Sequence, residues 1–187
     1  MTLEEKKVAS KTIFSGHIMT LEVADVKLPN GKMTTREIVH HAPAVAILAI
    51  DDQNKMLLMK QWRAAVDQAT LEIPAGKLDD RDDSALHAAI RELNEETRLK
   101  ATHLTEASSF YTSVGFCDEF MTLYVATGLT TVVNELPQDD DENLQVMRVS
   151  LDEALAMIRE QKIIDAKTIM AIYHWQTLVL SGDLNES

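Results

Sequence analysis

An α+β fold is predicted by three features of the chain. Residues 13–41 alternate in a strand-like way, residues 43–50 form an unbroken apolar run, and residues 84–97 carry apolar and acidic side chains at helical spacing. Strands come first and most of the helical pattern comes later, which is the α+β order rather than regular βαβ alternation.

Taken in order, Ile13 to His41 turns at Pro29-Asn30-Gly31-Lys32, so a small antiparallel sheet is expected there. Pro43 to Ile50 reads as a strand buried on both faces. Asp51 to Lys55 is a polar turn, and Met56 to Lys60 returns as the paired strand. Leu71 to Ile73 is a short strand that ends at the Pro74-Ala75-Gly76 turn and leads into a helix. Strands are then expected at Leu104 to Tyr111 and Phe120 to Ala126, and a long acidic loop from Thr130 to Asn143. A strand at Gln145 to Val149, a helix at Leu151 to Glu160 and a longer amphipathic helix at Ala166 to Leu180 complete the chain. With no internal repeat or low-complexity linker, the division is an N-terminal sheet over residues 1–42 and a main domain over residues 43–187.

Charge and composition exclude several functions. A net charge of −12 and a pI near 4.8 argue against nucleic acid, which needs a basic footprint. The same charge disfavours a polyanionic ligand unless metal ions screen the site. Cys117 is the only cysteine, so no intrachain disulfide can form, and a buried, inert thiol is expected. The N-terminus has no apolar signal core and no run approaches ~18 apolar residues, so a soluble, cytoplasmic protein is expected. No P-loop, paired-cysteine zinc pattern or nucleophile elbow is present.

The segment GKLDDRDDSALHAAIRELNEETRL, Gly76 to Leu99, is the most informative. Glu92, Glu95 and Glu96 stand at i, i+3, i+4 and share an arc of about 100° on a helix. Leu86, Ile90, Leu93 and Thr97 fall opposite, as an expected core stripe. Asp82, Asp83 and Ser84 are candidate N-caps, and Arg91 lies four residues before Glu95, within reach to orient it. Like charges so spaced repel, and a hard divalent cation such as Mg²⁺ would reverse that cost. The alternative is a solvated acidic face.

Arg91-Glu92-Leu93-Asn94-Glu95-Glu96 matches without a gap the R-E-U-x-E-E core of the Nudix box, G-x5-E-x7-R-E-U-x-E-E-x-G-U. Three departures stand out. One extra residue separates Gly76 from Arg91, Asp83 occupies the first Glu position when counted back from Arg91, and Arg98 replaces the glycine of a left-handed helix cap. Ile73-Pro74-Ala75-Gly76-Lys77-Leu78, the Arg36-Glu37-Ile38-Val39 strand, Phe110 to Phe116 and Asp165-Ala166-Lys167-Thr168 are similar to the ADP-ribose pyrophosphatase subfamily. The resemblance implies a Nudix fold, a mixed sheet between helices, over residues 43–187. It also implies a homodimer built on the N-terminal sheet, each subunit completing the other's site. The implied activity is Mg²⁺-dependent (Mn²⁺ possible) hydrolysis of ADP-ribose to AMP and ribose 5-phosphate. Two alternatives stay open: a non-catalytic module that senses a nucleotide sugar, or action on another nucleoside diphosphate derivative.

Pyrophosphate hydrolysis needs cations to offset phosphate charge, a water and a proton acceptor. Glu92, Glu96 and Glu95 are the candidate metal ligands, and the resemblance adds the backbone carbonyl of Ala75. In the acidic loop the sixth and twelfth positions from Asp139, Leu144 and Ser150, rule out an EF-hand. By resemblance a loop carboxylate serves as ligand or general base, with Glu142 the first choice, Asp140 its competitor and Glu95 the helix alternative. Arg36 and Arg63 are the cations expected to meet phosphate or stack on adenine. Glu72 is placed to hold substrate or an arginine, and Trp62 is either core or platform. His17 occupies a position where relatives place an adenine-stacking aromatic. Ser113 and Gly115 sit in a turn whose backbone can approach a terminal ribose. His40 and His41 face opposite sides of a strand and cannot share one metal.

Overall fold

The structure, a computed structural model, describes residues 2–137 and 144–183. The chain divides into two compact units, one of Met1–Pro43 with Phe110–Met121, the other of Ala44–Ser109 with Thr122–Ser187.

The first unit is built on an antiparallel sheet of β1 (Lys6–Ser15), β2 (Met19–Lys27) and β3 (Met33–His41), in the order β1-β2-β3. The turn expected at residues 29–32 joins β2 and β3, with Gly31 at φ 84° and the Leu28 N–H donating to Lys32 O at 2.8 Å. Strand β1 starts seven residues before the expected Ile13, and all of it is exposed, so no burial pattern marked it in the sequence. Val39 forms a parallel bridge to Cys117, which ties the 112–119 turn to β3. Cys117 is half-buried rather than buried.

In the second unit, β4 (Ala44–Ala49) is buried at every residue, as its apolar run predicts. It is a central strand of the sheet β7-β4-β10-β9, made with β7 (Ala75–Lys77), β9 (His103–Tyr111) and β10 (Phe120–Thr127). A second sheet orders β12 (Gln145–Ser150), β5 (Lys55–Arg63) and β6 (Gln68–Glu72). Helix α1 (Ala85–Thr97) packs on β4 and β7, while α3 (Ala166–Ser181) packs on β4 and β6. Val45, Ile47 and Ala49 form one core with Ala88, Ala89 and Leu93 of α1, so the alternate face of β4 is left for α3. Helix α2 (Leu151–Arg159) starts with a capping box between Ser150 and Glu153 and packs on α3 and β12. Strand β7 was not expected from sequence, because three residues carry no period.

Both ends of α1 follow from its sequence. Ser84 Oγ accepts the His87 N–H at 3.1 Å, and Arg98 caps the other end at φ 61° and ψ 26°, its N–H donating to Asn94 O at 2.9 Å. Arg98 therefore takes the backbone shape that glycine usually supplies. Its guanidinium donates to Leu136 O, and the side-chain amide of Asn94 both donates to Asn134 O and accepts from Leu136 N. Residues 134–136 are thus held against α1, after a short pairing of β8 (Leu99–Lys100) with β11 (Thr130–Thr131) that the expected loop did not include.

Arg98→Gly and Arg98→Ala both lose the guanidinium contacts, but only alanine bears a Cβ in the left-handed conformation. The glycine variant should be the more stable by about 1 kcal/mol in urea unfolding. Equal stabilities would mean that the cap is unstrained.

Candidate active site

The acidic face of α1 turns inward. Glu92, Glu95 and Glu96 are 8, 6 and 6% exposed, whereas Leu86 and Ile90 are 43 and 50% exposed. Only Leu93 of the expected core stripe is fully buried, and the helix packs through Ala88, Ala89 and Leu93 with its carboxylates beside them. The expected stripe was wrong because small alanines can form a packing face while leucine and isoleucine tolerate exposure.

Strand β7 supplies the surface these carboxylates meet. The Ala75 N–H donates to Glu96 Oε2 at 3.3 Å. A Cβ placed on Gly76 would lie 1.9 Å from Glu92 Oε1, so only glycine leaves room for that carboxylate. Strand β7 pairs with β4, and the two residues that lead into it are fixed by neighbours: Pro74 O accepts from Ile47 N at 2.8 Å, and Ile73 N donates to Thr168 Oγ1 at 2.9 Å.

Arg91, 7% exposed at its side chain, organises the cluster. Its Nη1 reaches Glu92 Oε1 at 2.8 Å and Glu95 Oε2 at 2.7 Å, its Nη2 reaches Lys77 O at 3.0 Å, and its Nε and Nη2 grip Asp82 at 3.1 and 2.7 Å. Burial opposes its charge, but Asp82 and the two glutamates overcome this and raise its pKa above the ordinary value. The expected contact with Glu95 is therefore present, as one of five. Asp82, with a side chain shielded from solvent, is the carboxylate that pairs with Arg91, and Asp83, 90% exposed, does not. Asp82 keeps the box spacing from Gly76, so the extra residue lies between Asp82 and Arg91. Counting back from the arginine had put the register one residue off.

This set fits a hard divalent ion. Arg91 bonds Asp82, Glu92 and Glu95 among the described residues, and Arg81 bonds Glu95 and, at 2.5 Å, Asp79. Within the described residues these four carboxylates outnumber the two guanidiniums they bond, and a cation would stabilise such a gathering of acids. Among the described residues no three side-chain donors converge tightly enough to surround an ion alone. Mg²⁺ suits such a site, since it takes one or two carboxylates and fills its other positions with water and substrate oxygens.

The model of the NUDIX domain matches residues 40–171, and that of the nucleoside diphosphate sugar hydrolase N-terminal domain matches residues 5–39. The chain belongs to the Nudix hydrolase family. An ADP-ribose pyrophosphatase of Bacillus subtilis is 43% identical over 175 residues, 94% of either chain. A methanol dehydrogenase activator of Bacillus methanolicus is 43% identical over 173 residues, 92% of this chain and 93% of its own. A solved ADP compounds hydrolase, 23% identical, superposes with a TM-score of 0.85 over 98% of this chain and 100% of its own, which shows the shared fold.

The other candidate residues of this Nudix chain fall in separate places. Arg63 and Glu72 form a two-pronged ion pair at 2.7 Å for each bond, beside a cavity of about 380 Å³. Trp62 on β5 is 61% exposed rather than core. The first unit holds the rest. Arg36 is paired with Glu5 at 2.6 Å, His17 is exposed between β1 and β2, and Ser113 and Gly115 lie in the turn where Ser113 O accepts from Phe116 N and Cys117 N. His40 and His41 have different partners, Asp118 with Glu22 and Glu119 respectively. Glu142 and Asp140 lie outside the described residues. Sequence reasoning assigned no site role to Asp82, Arg81, Thr168 or Lys167; Asp82 is read there only as a candidate cap, although its spacing from Gly76 is that of the box, and Lys167 and Thr168 only as part of a segment similar to the subfamily.

Breaking the Asp82–Arg91 pair leaves a buried guanidinium short of a partner. Asp82→Asn should cost about 3 kcal/mol in chemical unfolding, while Asp83→Asn should stay within ~0.5 kcal/mol. The reverse order would restore the register counted from Arg91.

Proposed function

We propose that the protein hydrolyses the pyrophosphate bond of ADP-ribose, or a related ADP-sugar, to AMP and ribose 5-phosphate, with Mg²⁺ and alternatively Mn²⁺ as the metal. The observation that carries this reading is the buried carboxylate face of α1 set over Ala75 and Gly76 and ordered by Arg91. A sensor of nucleotide sugars has no need of that surplus charge. The B. subtilis relative supports the choice of substrate.

Glu92 and Glu96, with the Ala75 carbonyl, are the proposed ligands, and Glu95 stands beside them. When bound, the ion offsets the charge of the diphosphate oxygens and lowers the pKa of water. Water adds to one phosphorus as the bridging P–O bond breaks, and a carboxylate, Glu142 or Glu95, takes the proton. Arg63 is the proposed phosphate cation within the second unit, held by Glu72. Arg36, His17, Trp62, Ser113 and Gly115 are proposed for the adenosine and ribose ends. No helix among the described residues is long and apolar enough to cross a membrane, and action in the cytoplasm is part of the proposal.

A homodimer formed through the N-terminal sheet, residues 1–42, is the proposed active species. Val8, Ile13, Phe14, Ile18 and Met33 are each more than half exposed in a single chain, an apolar area that a second copy would cover. A dimer is the expected state in light scattering.

The reading is tested by incubating the protein and Mg²⁺ with a panel of nucleoside diphosphate compounds and identifying products by mass. ADP-ribose should give AMP and ribose 5-phosphate, and Glu96→Gln should nearly abolish turnover. Glu96 is buried against Ala75 N rather than free of packing, so the variant's circular dichroism must match the wild type. Glu142→Gln should lower kcat by ~10²–10⁴-fold with little change in KM. A crippled Asp140→Asn beside a normal Glu142→Gln moves the base to Asp140, and two normal variants move it to Glu95. Retained activity in Glu96→Gln at saturating Mg²⁺ would sink the metal assignment.

A further inference from the structure

The first turn of α3 reaches the corner between β6 and β7 with two side chains of different character. Thr168, fully buried, accepts the Ile73 N–H at 2.9 Å and donates to Asp165 Oδ2 at 2.6 Å. Lys167, 12% exposed, places Nζ 2.5 Å from Glu72 Oε2 and 3.1 Å from Asp165 Oδ1. Glu72 accepts four hydrogen bonds: two from Arg63, one from Thr70 Oγ1 at 2.6 Å and one from Lys167. Burial alone would push its carboxyl up, but the bonds from Arg63 and Lys167 and the lysine charge hold it down to about 2, so it stays ionised.

Arg63, Thr70, Glu72, Asp165 and Lys167 line the 380 Å³ cavity, together with apolar side chains such as Val66 and Ile164. That volume suits part of a nucleotide-sized ligand. Arg63 uses Nε and Nη2 on Glu72, and among the described residues its Nη1 makes no hydrogen bond. The two cations balance Glu72 and Asp165 one for one. Glu96 and Asp165 are also close enough to raise the pKa of Arg63, after its bonds to Glu72, so the cavity shares a field with the acidic helix.

We infer that Lys167 is a positioning residue for substrate binding: it occupies the second oxygen of Glu72, fixes the Glu72–Arg63 pair with Nη1 available to a phosphate, and keeps the cavity from turning net negative. This inference rests on the functional reading above, with Arg63 as a phosphate cation. Without the lysine charge, Glu72 and Asp165 outweigh Arg63, and an anionic diphosphate meets repulsion where it met balance. At a few ångströms in a partly solvated cavity, one charge is worth roughly tenfold in affinity.

The test compares Lys167→Gln, which keeps a hydrogen-bond donor and loses the charge, with Lys167→Met, Lys167→Arg and Thr168→Val. ADP-ribose affinity is measured by titration calorimetry in EDTA, and kcat and KM are measured with Mg²⁺. Lys167→Gln and Lys167→Met should raise Kd and KM roughly tenfold with kcat within about twofold, and Lys167→Arg should restore most of the affinity. Thr168→Val strands a buried N–H beside the backbone of the metal site, so it should lower Tm and turnover while leaving the Kd measured in EDTA near the wild-type value. Wild-type Kd in Lys167→Gln overturns the inference, as does Thr168→Val shifting that Kd as much as Lys167→Gln does. Wild-type turnover of ADP-ribose tests the functional reading separately. If the wild type binds ADP-ribose without turnover, that reading fails and the Kd ratios still decide the role of Lys167. If it does neither, both fall.

Discussion

A single buried guanidinium holds the candidate active site together. Arg91 joins three parts of the chain at one point: the 79–83 turn through Asp82, strand β7 through Lys77 O, and helix α1 through Glu92 and Glu95. All three of its nitrogens are engaged, so its planar geometry sets the directions of two carboxylates as well as their charge. A lysine in its place has no fork to distribute and would leave at least one of these groups unpaired. The arrangement also explains why three glutamates can sit buried on one helix face. Arg91 and Arg81 are outnumbered by the carboxylates they bond, and that excess is what makes the face suitable for a divalent ion.

The second constraint is backbone proximity. Gly76 lets the Glu92 carboxylate lie against β7, and Thr168 and Ile47 hold the two residues that lead into that strand from two other elements. A metal site that includes a main-chain carbonyl can be no more rigid than the strand bearing it. The first turn of α3 therefore serves the site twice, through Thr168 on the backbone and through Lys167 on the Glu72–Arg63 pair. These contacts join residues 95 positions apart, and no local pattern announces them.

What could be read from the sequence depended on the range of each signal. The Glu92, Glu95 and Glu96 spacing, the Gly31 turn and the buried run of β4 are local, and the structure shows each one. The side of α1 that packs was misjudged because hydrophobicity alone ranks Leu86 and Ile90 above Ala88 and Ala89, whereas close approach to β4 favours small side chains. Counting back from Arg91 puts Asp83 in the first Glu position and counting forward from Gly76 puts Asp82 there, because an inserted residue can be assigned to either side of an anchor; the contact with Arg91 is made by Asp82. Arg98 posed the opposite case. It breaks the family pattern, yet it adopts the expected left-handed cap and uses its side chain to hold residues 135 and 136.

The central claim is that the Arg91-ordered cluster carries a negative surplus that a divalent cation relieves. Thermal unfolding of the substrate-free protein with EDTA and with saturating Mg²⁺ tests it most directly, because an ion that binds only the native state raises Tm. The account predicts a clear rise for the wild type that disappears in Gly76→Ala, where the new Cβ displaces the Glu92 carboxylate. Identical midpoints for the wild type with and without Mg²⁺ would contradict it.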